Sequence, residues 1–260
     1  MQQHEQLSIW GRLRHSAFVQ IGGGAALILL GMSIGALVFA SDPAGYWMNI
    51  LTEGLGVGVT ILVLNRLASF REEAREIARL QKRLVREASS SSNETAKTAI
   101  DWLRAEHWLI GAEGLLTGCD LSRATLQDAD LWKANLHGAT LRETNLHRAE
   151  LSNVDFGEAN LREADLRQTT LKHADFTGAT LRNAQLREAN LRYALLRDAN
   201  LRGADLCEAD LLQADLRGAT LRAAKLNGAK GLDQALCDTQ TQLPDGSYWS
   251  DGMDWSPFIT

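Results

Sequence analysis

Between residues 119 and 226 the hydrophobic side chains recur every five positions without a gap. From Leu121 to Leu226 every fifth residue is Leu, apart from Phe156 and Phe176, which makes 22 central positions. Two places before each centre stands Ala, apart from Cys119, Thr144, Val154 and Thr169. A period of five fits no helix, where successive centres would advance about 140° around the axis, and no continuous strand, where they would alternate faces. Something must therefore turn every five residues. The Ala-x-Leu piece points two apolar side chains inward and the residue between them outward, and the next two residues, rich in Arg, Glu, Gly and Asn, form a corner. Four such sides close a square coil. Stacked at ~4.8 Å, the spacing of paired strands, the pentads give about five and a half coils and a rod roughly 26 Å long. One large and one small side chain per wall is what a narrow tube can hold. Phe156 and Phe176, separated by four pentads, are expected to stack on one inner wall between Leu136 and Leu196.

The tandem phrase Ala124-Thr-Leu126, Ala129-Asp-Leu131, Ala134-Asn-Leu136 resembles the pentapeptide-repeat family over residues 119–226. The resemblance implies an all-β right-handed quadrilateral β-helix. Its best-known members are DNA mimics that protect bacterial topoisomerases, and mimicry needs a face as acidic as a row of phosphates. From Cys119 to Lys230 there are 16 Asp or Glu and 16 Lys or Arg. That balance argues against mimicry, which stays as an alternative.

Ahead of the repeats the pattern changes several times. Residues 1–17 are polar, with Arg12, Arg14 and His15, and residues 18–40 are apolar except for Gln20 and Ser33. Such a run is long enough to cross ~30 Å of hydrocarbon as a helix. A break from Ser41 to Gly45 leads into Tyr46 and Trp47 and a second span over residues 47–65, so the two read as a transmembrane hairpin. The rival reading of the first run is a signal peptide, because Val38-Phe39-Ala40 resembles a cleavage site. Arg66, Arg71, Arg75, Arg79, Lys82, Arg83 and Arg86 follow the second span, whereas the intervening loop has no Lys or Arg. The positive-inside rule then gives a multi-pass protein of the inner, cytoplasmic membrane with its repeats in the cytoplasm. Gly31 with Gly35, and Gly54 with Gly58, would let helices approach closely, in the hairpin itself or in an oligomer. Glu53 is a candidate intramembrane polar residue, with an interfacial side chain reaching water as the simpler account.

Residues 66–88 read as an amphipathic, coiled-coil-like helix, with Leu67, Phe70, Ala74, Ile77, Gln81, Leu84 and Ala88 on one stripe. That stripe could join a second copy or pack on the rest of the chain. Residues 89–92 are a serine linker, and Ser91 with Glu94 forms a capping-box start for a helix through about Leu109 carrying Ile100, Leu103 and Trp108. Residues 93–115 are then a helical cap on the open end of a solenoid over 116–230. The stretch from Trp108 to Leu116 resembles the lead-ins of membrane-tethered bacterial pentapeptide proteins. Residues 231–260 form the opposite cap, in which Leu232, Leu236, a turn at Pro244 to Gly246, and Trp249, Trp255 and Phe258 fold over the last coil.

Composition narrows the function. A net charge of −5 and a pI near 5.7 argue against a nucleic-acid partner. Cys119, Cys207 and Cys237 are odd in number and unrelated in spacing, which fits a reducing compartment. Cys119 reads as a small buried residue, and Cys207, facing outward, leaves a reactive thiol open. No phosphate loop, metal-ligand spacing or nucleophile motif is present, so the reading is a non-enzyme with no cofactor. His137, His147 and His173 fall on different walls, and the many Asp and Glu read as solvated wall residues. One column stands out: Ser122, Arg142, Arg162, Arg182, Arg202 and Arg222 follow the central residue of one wall. Five stacked arginines would repel by about 0.9 kcal/mol per neighbouring pair in water, a cost small enough for an ordinary solvated wall. Glu143 and Glu163 compensate at first, but the next positions along are Asn183, Gly203 and Ala223. The column is the candidate docking surface for a partner, an acidic protein or lipid headgroups. The leading expectation is a membrane-anchored scaffold offering a rigid rod to a cytoplasmic protein, with self-association open. A regulator or component of a membrane transport or sensing assembly is the third reading.

Overall fold

The repeat closes on itself every four pentads. In the computed structural model, which describes residues 43–111, 114–250 and 252–259, with side chains from residue 56 onward, single bridging residues pair in parallel across coils. The pairs run Asp120 with Thr140, Thr125 with Asn145 and so on, to Asp210 with Lys230. Leu and Ala of every pentad point inward, and the core from Leu116 to Leu226 is almost wholly dry. Phe156 and Phe176 lie in it with ring centroids 4.9 Å apart and planes 8° from parallel. The expected stack is present, and its spacing is that of the coils. Thr144 and Thr169, the two polar residues in Ala slots, are also buried, and their hydroxyls donate to the carbonyls of Leu121 (2.8 Å) and Leu166 (2.6 Å).

Each pentad uses its backbone N–H groups in the same way, as the pentad at Leu121 illustrates. The bridging residue donates to the previous coil (Thr140 N to Cys119 O, 2.9 Å), and the central Leu donates to the next (Leu121 N to Thr140 O, 2.7 Å). The second corner residue also donates forward (Arg123 N to Arg142 O, 2.8 Å), and the following Ala closes the turn (Ala124 N to Leu121 O, 3.1 Å). The first corner residue is left over, and where the bridging residue two places before it is Asp, Asn or Glu, that side chain accepts its N–H: Asp120 Oδ1 from Ser122 (2.9 Å), Asn145 Oδ1 from His147 (3.0 Å), Asp175 Oδ1 from Thr177 (2.9 Å). These side chains line the outer wall, as expected, and Asp120 is exposed there. Their place in the repeat is that of an acceptor for a backbone donor with no other partner.

The second corner residue sits in the left-handed region at every turn, from Gly118 (φ 64°) and Arg123 (φ 60°) to Gly228 (φ 69°), while the residue before it does not. That is the signature of type II turns, which favour Gly or Asn there. Most of these positions hold ordinary side chains, such as Tyr193 (φ 61°) and Gln213 (φ 54°), at a cost of roughly 1 kcal/mol or more each. Stacking on the coil ahead, through the N–H just described, offsets that cost.

Helix α1, Pro43–Ala88, is continuous, so the second span and the amphipathic stretch expected after it are one helix. A boundary between two compact units falls after Ile77. Within the first unit, Val57, Val59, Ile61, Leu62, Val63, Leu64, Leu67 and Phe70 are exposed. Among the described residues no helix is long and apolar enough to cross a membrane. The first expected span, the Gly31 pair, Ser41 and Asp42 lie outside the described residues, as does the Glu53 side chain, but Pro43 to Gly45, expected in the break between spans, are the first residues of α1. Further along, Leu84 and Ala88 are buried and Leu80 and Val85 half-buried in the core of the second unit. That end of the stripe expected to self-associate therefore packs on its own chain.

Helix α2, Asn93–Ala105, buries Ala96, Ala99, Ile100 and Leu103 at helical spacing over the first coil. Its N-cap is Ser92 rather than Ser91 and makes no side-chain capping bond, so the expected capping box does not form. The helix also stops short of Leu109. His107 turns left-handed (φ 60°), with Trp108 N bonded to Leu103 O and His107 N to Arg104 O, a Schellman ending. The linker and lead-in then satisfy donors of the first coil that no earlier coil can reach: Thr125 N to Ser90 O (3.0 Å) and Asn135 N to Leu109 O (2.7 Å).

At the other end the register slips. Asp215 pairs with Leu236 and Thr220 with Gln242, so the last coil gains residues around the 3-10 turn Leu232–Gln234. Leu232, Leu243 and Trp255 are buried there, Trp255 stacks on Trp249 at 5.1 Å and meets Phe258 edge-on at 6.3 Å, and Gly228 N reaches Ile259 O (2.9 Å). Leu236, expected in this cap, is instead 53% exposed, because the slipped register gives it an outward bridging position.

Candidate functional site

Four outward walls follow from the four-pentad coil, each a set of columns in register. The first is built on Leu121 to Leu221, the second on Leu126 to Leu226, the third on Leu131 to Leu211, and the fourth on Leu136, Phe156, Phe176, Leu196 and Leu216. A side chain's neighbours along a column are thus four pentads away in sequence, beyond the reach of local reading.

On three walls the arginines are spent. On the second wall Arg148 pairs with Asp128 (3.3 Å), Arg167 with Asp165 (2.6 Å) and Arg187 with Glu208. On the third, Arg192 reaches Asp210 (3.3 Å), and His173 stacks on Tyr193 at 4.8 Å. On the fourth, Asp215 is held by two guanidiniums. Arg217 donates Nε to Oδ1 (2.8 Å) and Nη2 to Oδ2 (2.7 Å), and Arg197 donates Nε to Oδ2. The Arg217 bonds foremost, then those of Arg197, hold the Asp215 carboxyl down at about 2 against the opposing effect of burial.

A carboxyl depressed in the folded state stabilises above its unfolded value and loses that contribution as pH falls through the folded one. The Asp215 side chain is 4% exposed, so its shift corresponds to about 2 kcal/mol. Asp215→Asn should therefore destabilise the protein by about that much at neutral pH and flatten the stability loss between about pH 4 and pH 2. Thermal melts of both proteins across that range check it; parallel acid limbs would show that Asp215 contributes nothing by ionising.

The first wall differs. The predicted column of Arg142, Arg162, Arg182, Arg202 and Arg222 is in register, since Glu143, Glu163, Asn183 and Gly203 each donate their N–H to the carbonyl of the arginine one coil ahead (2.9 to 3.0 Å). Near its start the column is compensated: Arg162 pairs with Glu163 (3.0 Å), and Arg123 pairs with Glu143 (3.0 Å), holding that carboxyl below its ordinary range. Of the twelve arginines from Cys119 to Lys230, eight have a carboxylate within 4 Å. The four without one, Arg142, Arg182, Arg202 and Arg222, all stand in this column. The Nε of Arg182 is also buried without a hydrogen-bond partner.

A backbone donor that the sequence analysis missed adds to the wall. Where the bridging residue is Asn, its side chain accepts the arginine N–H, as at Arg162 (3.3 Å) and Arg202 (3.2 Å). Thr140, Thr180 and Thr220 accept nothing there, as Thr125 and Thr170 accept nothing on the other walls, so among the described residues the backbone N–H groups of Arg142, Arg182 and Arg222 have no partner. The alternation of Thr and Asn in the column before the arginines was the available signal.

The other candidates do not gather into a site. His137, His147 and His173 stand on the fourth, second and third walls, and among the described residues no group of side chains could hold a metal ion. Burial, then Asp205, pushes the Cys207 thiol up, away from the thiolate form. Burial pushes Cys237 up to about 12, and half-buried Cys119 donates its Sγ–H to Leu115 O (3.0 Å).

Residues 119–157, 155–192 and 194–230 match the family model described as pentapeptide repeats, in 8 copies. Among solved structures the chain is similar to a pentapeptide repeat protein of the Arabidopsis thaliana thylakoid lumen, with 29% identity over 40% of this chain and 74% of that one and a TM-score of 0.38. It is also similar to Rfr23 of the cyanobacterium Cyanothece 51142, with 28% identity over 46% and 89% and a TM-score of 0.33. A third is a trypsin-treated form of QnrB1, a plasmid-mediated fluoroquinolone resistance protein, with 24% identity over 51% and 80% and a TM-score of 0.18. No curated protein matches the chain.

Proposed function

We propose that this pentapeptide-repeat chain is a membrane-anchored, non-catalytic docking rod that presents its first wall to a cytoplasmic protein. The observation that carries the reading is the segregation of unpaired arginine: every unpaired arginine of the repeats shares one column, while the other walls neutralise theirs internally. Guanidinium groups on a fixed lattice suit carboxylates on a partner, because fork geometry and charge both favour them. Membrane anchoring is supported by the apolar runs at 18–40 and 47–64 and by the exposed Val57 to Leu64 face of α1. A cytoplasmic rod is supported by the basic residues that follow the second run.

A photo-crosslinking residue in place of Ala223, at a corner of the first wall, tests the docking part when compared with one in place of Gln213 on the third. In the native host the full chain should crosslink to a defined protein from the first position and not from the second. Crosslinking from both, or from neither, would remove the wall-specific reading. Carbonate-resistant retention of the full chain in membranes, lost when residues 18–64 are deleted, checks the anchor. Protection of a DNA topoisomerase in a supercoiling assay would move the reading to DNA mimicry.

A further inference from the structure

The C-terminal half of the first wall says more about the partner, on the reading that the wall docks a protein. Its arginines are spaced by the coil, 4.9 Å at the Phe156–Phe176 stack and 4.8 Å at the His173–Tyr193 stack. Arg182 and Arg222 are thus two coil spacings apart, about 10 Å, with Arg202 between them. Carboxylates on one face of an α-helix recur once per turn, about 5.4 Å, so three in succession span about 11 Å. Carboxylates on one face of an extended strand recur about every 6.7 Å and span about 13 Å. Over three rungs the helix departs from the ladder by only about 1 Å, whereas the strand departs by about 3 to 4 Å, most of a coil spacing.

The donors at each step are also more than a charge. Arg182 and Arg222 each offer a guanidinium and a free backbone N–H, and the Nε of Arg182 is already withdrawn from water without a partner. Carboxylates that could compete from the wall are few. Between these arginines and the next corner stand Asn183, Gly203 and Ala223, and the preceding bridging column is Thr180, Asn200 and Thr220. The acidic residues nearest Arg202 in sequence are Asp198, on the preceding corner, and Asp205, whose carboxylate is engaged by Cys207 N (3.1 Å); those nearest Arg182 and Arg222 are Asp175, Glu188 and Asp215, all on other walls and engaged by Thr177 N, Arg187 and Arg217 respectively.

We propose that Arg182, Arg202 and Arg222, with the free N–H groups of Arg182 and Arg222, form a docking track for the acidic face of a partner protein's α-helix lying along the rod. The partner carries Asp or Glu at positions i, i+4 and i+7. Its carboxylates each meet one coil of the wall, and the unpaired donors of this column become their hydrogen-bond partners.

The test uses the full chain in detergent micelles and a stapled helical peptide with Glu at i, i+4 and i+7. Companion probes are the same peptide with Gln, an extended peptide with Glu at every second residue, vesicles containing phosphatidylglycerol, and duplex DNA. The helical Glu peptide should bind at low salt, lose affinity as salt rises, and outcompete the other four. The triple variant Arg182→Gln, Arg202→Gln, Arg222→Gln should bind it at least tenfold more weakly with an unchanged melting temperature. Asn183→Glu with Ala223→Glu places carboxylates where Glu143 and Glu163 stand earlier in the same column, and should weaken binding similarly without removing an arginine. Equal binding by these variants, or preference for the extended peptide, the vesicles or DNA, would overturn the acidic-helix partner. If the peptide fails to bind while first-wall crosslinking in the host persists, the helix is wrong and the docking rod stands; loss of that crosslinking removes both.

Discussion

Gly231→Ala should destabilise the C-terminal end of the solenoid by about 4 kcal/mol, combining an overpacking cost with a left-handed penalty. Gly231 lies at φ 72° where the register slips, and a Cβ there would stand 2.5 Å from both Cα and N of Leu212. The obstacle is the backbone of the adjoining coil, which cannot swing aside as a side chain could. The melting temperature should fall by roughly 10 °C, and amide exchange should rise first from Leu211 onward, because a solenoid unravels from a damaged end. Gly138→Ala is the control. It has a similar φ of 63° with nothing within 4 Å of the new methyl, so it should cost only about 1 kcal/mol. Equal costs at the two sites would mean that the close approach to Leu212 carries no weight.

The second large effect is expected inside the tube. Phe156→Ala removes one ring of a fully buried stack and should cost about 3 to 5 kcal/mol. Phe156→Leu restores the residue used at most other centres and should cost under about 1.5 kcal/mol. The double change Phe156→Leu with Phe176→Leu should cost less than the sum of the two single changes, since each single change leaves the other ring in a section widened for two. Denaturant melts of the four proteins provide the cycle. Strict additivity would show that the two rings are independent packing events.

Much of this architecture is legible because the repeat makes inside and outside a matter of counting. The Leu and Ala slots, the four-pentad coil and the stack of Phe156 on Phe176 all follow from the period. So does the arginine column, since folding the sequence by four pentads is enough to align Arg142 with Arg222. What counting misses is bonding between side chain and backbone. Asp120 and Asn145 look like ordinary outward residues until the direction of the Ser122 and His147 N–H groups is known, and the free N–H of Arg182 is visible only once Thr180 is seen to accept nothing. The ends are less legible for a related reason. Ser92, not Ser91, is the N-cap of α2, and Leu236 turns outward, because neither the serine run nor the slipped last coil carries a period that fixes the phase.

Phase is also what the solenoid exposes to evolution and to engineering. Each wall is a reading frame of twenty residues, and the frame can be shifted without harming the fold. A single pentad inserted between Phe176 and Leu181 would leave the inward slots filled, yet rotate everything after it by a quarter turn, carrying Arg182, Arg202 and Arg222 off the line of Arg142 and Arg162. Four inserted pentads would lengthen the rod by one coil and keep all columns aligned. Insertions in this stretch should thus fall into two classes with the same stability and opposite surfaces, a frameshift written in faces rather than codons.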